Sequence, residues 1–145
     1  MSKIWFLVAD SHRARLLESE GAKGPMTELA DFVNPEDRLR EQDLVSDQPG
    51  RVKDRGRIGN YALGERGTAR EEATLRFARQ LCGELETGRV AHRFERIHIS
   101  AAPDFLGLLR QTMSPETRKL VATEINHDIV RLPPAEIRRY FPDRV

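Results

Sequence analysis

The chain opens on six consecutive apolar residues, Ile4-Trp-Phe-Leu-Val-Ala9, and a charge, Asp10, closes the run at once. A short apolar run rich in β-formers predicts a strand buried on both faces. Asp10-Ser11-His12 carries turn chemistry, since Asp and Ser side chains bond the backbone just ahead of them. Residues 14–18 then predict a second strand returning beside the first. Gly21, Gly24 and Pro25 break the chain, and residues 26–33 alternate apolar with polar as a third strand does. The opening predicts a three-stranded antiparallel meander.

From residue 34 to 67 neither a period of 2 nor one of 3.6 is sustained. The stretch holds Pro35, Pro49, Gly50, Gly56, Gly59, Gly64 and Gly67 among many charges. It is expected as a long basic, glycine-rich excursion from a single domain covering 1–145, not as a domain boundary. Thr68-Ala-Arg-Glu71 fits a capping box, with Thr68 as N-cap and Glu71 reaching back. Behind it Ala73, Phe77, Ala78, Leu81, Cys82 and Leu85 recur at helical spacing. This helix should reach Leu85, or further if Gly88 is tolerated.

Residues 96–100 predict a fourth strand, with Ile97 and Ile99 on one face and His98 pointing to the other. Pro103 suits the first turn of a short helix that covers Phe105, Leu106, Leu108 and Leu109. Ser114-Pro115 offers a further N-cap with proline at the first helical position, and residues 120–125 either finish that helix or form a fifth strand. Leu132-Pro-Pro-Ala-Glu starts a last helix ending near Phe141. These elements predict an α/β three-layer sandwich whose mixed five-stranded sheet runs 3-2-1-4-5. The helix between strands three and four supplies the crossover that a parallel partner for strand one requires.

Composition narrows the function classes. Lys+Arg 24 against Asp+Glu 23 leaves a formal charge of +1, so no global excess marks a nucleic-acid or membrane protein. The initial apolar run is shorter than the roughly 7–15 residues of a signal peptide, and no segment approaches the roughly 20 of a membrane span. A cytoplasmic protein without membrane attachment is expected. The single cysteine, Cys82, excludes a disulfide framework and reads as a small core residue on the helix's apolar stripe.

Two constellations stand out. Asp10 should lie at the C-terminal end of strand one and Asp104 just past that of strand four. Parallel neighbours would bring both carboxylates to the edge where open α/β sheets bind ligands, as a pair able to hold a divalent metal for nuclease chemistry. Against this, Asp10 suits a turn and Asp104 suits a helix's first turn, where the macrodipole favours an anion. Glu18 and Glu124 would complete a metal set only if the strand boundaries shift. His12, His92, His98 and His127 lack metalloprotease spacing and read as satisfied structural or surface residues. No P-loop, nucleophile elbow or dinucleotide fingerprint appears, so no catalytic residue and no cofactor is assigned.

The second constellation is basic. Between positions 49 and 70, Arg51, Lys53, Arg55, Arg57, Arg66 and Arg70 face only Asp54 and Glu65, a local +4. Glycines let this backbone follow an irregular surface, and Tyr61 adds a ring on which a base can stack. Phosphate backbones reward such a segment through counterion release, and arginine-rich segments order on RNA. A solvated charged loop is the competing account.

Four blocks, in order, resemble the bacterial host-attachment proteins, named as required for attachment to host cells. They are Ile4-Trp-Phe-Leu-Val-Ala-Asp-Ser-His-Arg-Ala-Arg-Leu-Leu17, Arg76-Phe-Ala-Arg79, Ala101-Ala-Pro-Asp-Phe-Leu-Gly-Leu-Leu-Arg110 and Leu132-Pro-Pro-Ala-Glu-Ile-Arg138. That family is similar to the middle domain of archaeal and eukaryotic peptide-chain release factors, whose long loop carries Gly-Gly-Gln into the ribosome. Here the loop has Arg55-Gly-Arg-Ile-Gly59 and Gly64-Glu-Arg-Gly67, with no Gly-Gly-Gln, and the nearest glutamines, Gln42 and Gln48, precede the glycine-rich part. The resemblance implies a non-enzymatic module whose loop meets the ribosome or structured RNA. Alternatives are an interaction factor that supports host attachment indirectly, and a metal-dependent nuclease using Asp10 and Asp104.

Overall fold

A computed structural model describes residues 3–21, 24–35 and 69–141. In chain order the elements are β1 (Lys3–Ala9), β2 (Arg13–Glu20), β3 (Thr27–Val33), α1 (residues 69–90), β4 (Arg96–Ala101), α2 (Pro103–Thr112), α3 (Pro115–Lys119), β5 (Val121–Ile125) and α4 (Pro134–Arg139). One sheet runs β3-β2-β1-β4-β5, the predicted order. β1 pairs antiparallel with β2 and parallel with β4, β2 pairs antiparallel with β3, and β4 pairs parallel with β5.

The apolar run of β1 is at the centre of this sheet, and all of it after Lys3 is buried. Its alternation divides the core. Trp5, Leu7 and Ala9 pack with Ile97 and Ile99 of β4 beneath Phe77, Leu81 and Leu85 of α1 and Phe105 and Leu109 of α2. Ile4, Phe6 and Val8 face the other way, with Leu17 of β2, onto Ile129, Val130, Ile137 and Phe141. Burying each large side chain contributes roughly 1.5–3 kcal/mol, so both faces of β1 are needed to hold the three layers together.

α1 runs past the expected limit of Leu85, because Gly88 is a packing site. A Cβ there would come within 2.6 Å of Trp5 Cζ3 and 3.2 Å of Phe94 Cε1. The missing side chain lets the indole lie flat against the helix. His92 ends α1 at φ 56 while Arg93 N–H donates to the Gly88 carbonyl at 2.9 Å. This is a left-handed helix terminus without its usual glycine. Thr68, the expected N-cap, is outside the described residues, as is nearly all of the 34–67 excursion.

Residues 120–125 resolve into strand, not helix. α3 spans five residues capped by the Ser114 hydroxyl on Thr117 N–H, and Leu120 closes it before β5 begins. Glu86 of α1 locks this corner. It accepts from Arg89 at 2.6 Å and from the hydroxyls of Ser114 and Thr117, each at 2.8 Å. These bonds, that from Arg89 first, hold its carboxyl down at about 2.

On the opposite face the chain after β5 forms a strap, residues 126–141, ending in α4. Arg15 of β2 fastens it, donating to the carbonyls of Val130 (2.9 Å) and Leu132 (2.6 Å) while pairing with Glu28 at 2.7 Å. The Ser100 hydroxyl donates to the His127 carbonyl at 2.7 Å. Among the described residues no helix is long and apolar enough to cross a membrane.

Candidate functional site

A cleft of about 1230 Å³ opens at the carboxyl edge of the sheet, where the chain leaves β1 toward β2 and leaves β4 toward α2. Ligands of open α/β sheets bind at such divergences. Asp10, Ser11 and His12 line it from the β1–β2 turn, Arg70, Glu71 and Glu72 from the first turn of α1, and Asp104 from α2. Leu75, Phe105 and Leu108 give it an apolar floor, and Asp128 reaches it from the strap.

The structure thus brings Asp10 and Asp104 to one cleft, as expected from the strand order. Their local roles differ. Asp10 is buried, and its Oδ1 accepts the backbone N–H of His12 (2.7 Å) and Arg13 (2.8 Å), while its own N–H donates to the Arg13 carbonyl at 2.9 Å. Two backbone donors on one oxygen make Asp10 the keystone of a tight turn. Asp104 is exposed in the first turn of α2, where the helix dipole favours it. Among the described residues no group of three or more His, Cys, Asp or Glu side chains could hold a metal ion. Glu18 and Glu124, the conditional candidates, are engaged elsewhere: Glu18 takes the Trp5 indole N–H at 3.1 Å, and Glu124 pairs with Arg110 at 2.6 Å.

Of the basic candidates, Arg70 is described. It is exposed at the mouth of the cleft. Arg51, Lys53, Arg55, Arg57, Tyr61 and Arg66 lie outside the described residues. Both chain ends that flank them do not. Val33 pairs with Arg13, Asn34 N–H donates to the His12 carbonyl at 2.9 Å, and the Asn34 amide donates to the Ser11 carbonyl at 3.1 Å. The chain therefore leaves the sheet beside the β1–β2 turn and re-enters at Arg70, both at the carboxyl edge.

Sequence reasoning missed the sign of the cleft itself. Among the described residues lining it, Asp10, Glu71, Glu72, Asp104 and Asp128 set five carboxylates against Arg70. The N-termini of α1 and α2 partly offset this charge. Asp128 follows β5 much as Asp10 follows β1, and this was the one signal in the sequence that could have placed it here.

The histidines separate. His12 lines the cleft, His92 caps α1, and exposed His127 leans on Tyr140 with ring centroids 5.3 Å apart. His98 faces away from Ile97 and Ile99, as expected, but it is not a satisfied residue. Its ring is 1% exposed, and among the described residues neither nitrogen has a hydrogen-bond partner. The reason is its placement between Phe6 and Phe141, which offer it only ring faces and edges. Cys82 is a core residue: Sγ is 3.8 Å from the Leu109 carbonyl, and burial pushes the thiol up to about 11.

No curated protein matches the chain. Solved structures do so distantly. An archaeal translation termination factor, aRF1, aligns over 97% of this chain and 35% of its own at 10% identity and a TM-score of 0.47. The Ppx/GppA phosphatase of Aquifex aeolicus aligns over 86% of this chain and 35% of its own at 13% identity and a TM-score of 0.44. The chain thus spans about a third of the length of either. A family model, described as protein required for attachment to host cells, matches residues 5–141, from the first core strand through α4 to the Phe141 that closes the strap. On that match the chain belongs to the host-attachment protein family.

Proposed function

We propose that this protein is a non-enzymatic RNA- or ribosome-binding module of the cytoplasm that works through its basic segment, with Arg51, Lys53, Arg55, Arg57, Arg66 and Arg70 contacting phosphates and Tyr61 stacking on a base. The observation that carries this reading is the segregation of charge. Residues 49–70 hold a local +4 in a chain whose total is +1. The described lining of the cleft carries five carboxylates, which disfavour phosphate there and leave the basic segment as the part a polyanion would meet. The release-factor-like order of elements read from the sequence points the same way.

Co-sedimentation with ribosomes and with total RNA across a salt series tests it. Six phosphate contacts on single-stranded RNA give a log–log salt slope of roughly −4. Reversing the charge of Arg51, Lys53, Arg55 and Arg57 together should abolish binding in the salt-sensitive range. Unchanged binding by that variant removes the segment from the account.

The family description supports a second reading, a protein-interaction factor that aids host attachment indirectly. Capture of one protein partner that survives nuclease treatment, with no ribosome binding at any salt, would favour it. The nuclease alternative rests on Asp10 and Asp104 sharing the cleft, and calorimetry showing no Mg²⁺ or Mn²⁺ binding would end it.

A further inference from the structure

The strap closes over an ionisable ring that has no hydrogen-bond partner among the described residues. His98 stacks on Phe6 with centroids 5.1 Å apart and 16° between planes, and Phe141 stands edge-on to it at 5.6 Å and 60°. Ile137 of α4 and Phe141 just past it seat this lid, both buried. The charged groups bearing on the ring are Arg138 of α4 and Arg96 of β4 itself, both cationic. β1 contributes Phe6 and β5 contributes Thr123, the register neighbours of His98. Glu124, one position on, points its carboxylate to Arg110. Among the described residues none of these elements offers the imidazole an anion.

Among the described residues a proton on His98 would therefore meet no carboxylate, only burial and two neighbouring arginines, and it would weaken the seating of Phe141 and α4 over the ring. The strap is fastened unevenly. Arg15 holds the carbonyls of Val130 and Leu132 from below. Beyond Leu132 the strap is seated by Ile137, by the Arg138 guanidinium over the Phe6 ring at 5.4 Å, and by the contact of Phe141 with His98.

We propose that residues 133–141, with α4 at their centre, are an acid-released lid: protonation of His98 unseats them, pivoting at the Arg15 clamp, and uncovers the apolar face formed by Ile4, Phe6 and Val8. The direction follows from linkage. Burial first, then Arg138 and Arg96, depresses the closed-state pKa from 6.5 to about 4. The closed form thus resists the proton that the open form accepts, and closure weakens as pH falls from about 6.5 toward 4. Between pH 8 and pH 5 the opening equilibrium should grow roughly 30-fold.

Amide hydrogen exchange of the full chain, corrected for the intrinsic pH dependence of exchange, tests this. Peptides covering 133–141 should lose protection about 30-fold between pH 8 and pH 5, while peptides covering 4–9 keep theirs through ladder bonds that the lid does not make. His98→Phe and His98→Leu should abolish the loss. Opening of 133–141 in either folded variant at the same pH as the parent would overturn the proposal, as would simultaneous loss across the sheet. If neither variant folds, the imidazole signal of His98 in the parent decides. Titration near 4 in the closed state supports the device, and titration near 6.5 with 133–141 still protected refutes it.

Discussion

Replacing Gly88 by alanine opposes two effects of known size. Helix propensity alone makes Gly→Ala in a helix interior stabilising by roughly 1 kcal/mol. Gly83, five residues earlier in α1, is a clean case, because a Cβ there meets nothing within 4 Å. At Gly88 the new Cβ would lie 2.6 Å from Trp5 Cζ3, about 1 Å inside ordinary carbon contact. The indole cannot yield easily. It stacks on Phe94 at 4.6 Å, Arg93 lies over its face at 5.3 Å, and its N–H is bonded to Glu18. Overpacking of this kind costs typically 1–3 kcal/mol, and a ring held on three sides belongs at the upper end. Subtracting the propensity gain leaves Gly88→Ala destabilising by about 2 kcal/mol, while Gly83→Ala stabilises by roughly 0.5–1 kcal/mol. In a chain of this length the Gly88→Ala melting temperature should fall by roughly 4–8 °C. Urea unfolding of the two variants beside the parent measures the difference directly. A Gly88→Ala protein as stable as Gly83→Ala would refute the claim that the Trp5 packing terminates at this glycine.

Two further outcomes follow from the two other perturbed groups. Glu86, held down at about 2 by its bonds from Arg89, Ser114 and Thr117, has a depressed folded-state pKa, so its contribution is present above about 4.5 and lost as pH falls toward 2. Unfolding free energies of Glu86→Gln and parent should therefore differ at pH 7 and converge across that window; a constant difference would mean that the charge plays no part. The Cys82 thiol, pushed up to about 11 by burial, should resist a thiol-exchange reagent at pH 8 in the native protein and react with one equivalent in denaturant, as read by absorbance. Rapid native reaction would place Cys82 at the surface.

The sequence by itself determined the sheet. β1 was legible because a strand buried on both faces must be apolar at every position, and Ile4 to Ala9 are. α1 was legible because Ala73, Phe77, Leu81 and Leu85 repeat at the period of a helix that rests on a sheet. With an antiparallel meander followed by one crossover helix, few strand orders remain, and 3-2-1-4-5 is the one observed. Position along the strands also sufficed to send Asp10 and Asp104 to one edge, since the C-terminal ends of parallel neighbours are neighbours in space.

Tertiary structure decided the rest, for a common physical reason: these features depend on which distant side chains meet. The sequence left open whether the helix passes Gly88, which is a seat for Trp5, 83 positions upstream. His98 alternated correctly to the outer face, but a strand pattern says nothing about what lands on it, and only the strap shows that Phe141 denies the ring a partner. The acid of the cleft's described lining is drawn from four separate segments, and Asp10, Asp104 and the α1 carboxylates each have a local use as a turn or helix-start residue. Their sum appears only where the segments converge. The basic segment is the reverse case: its charge is contiguous in sequence, so composition alone revealed it, and the fold adds that both its flanks are anchored at the sheet's carboxyl edge.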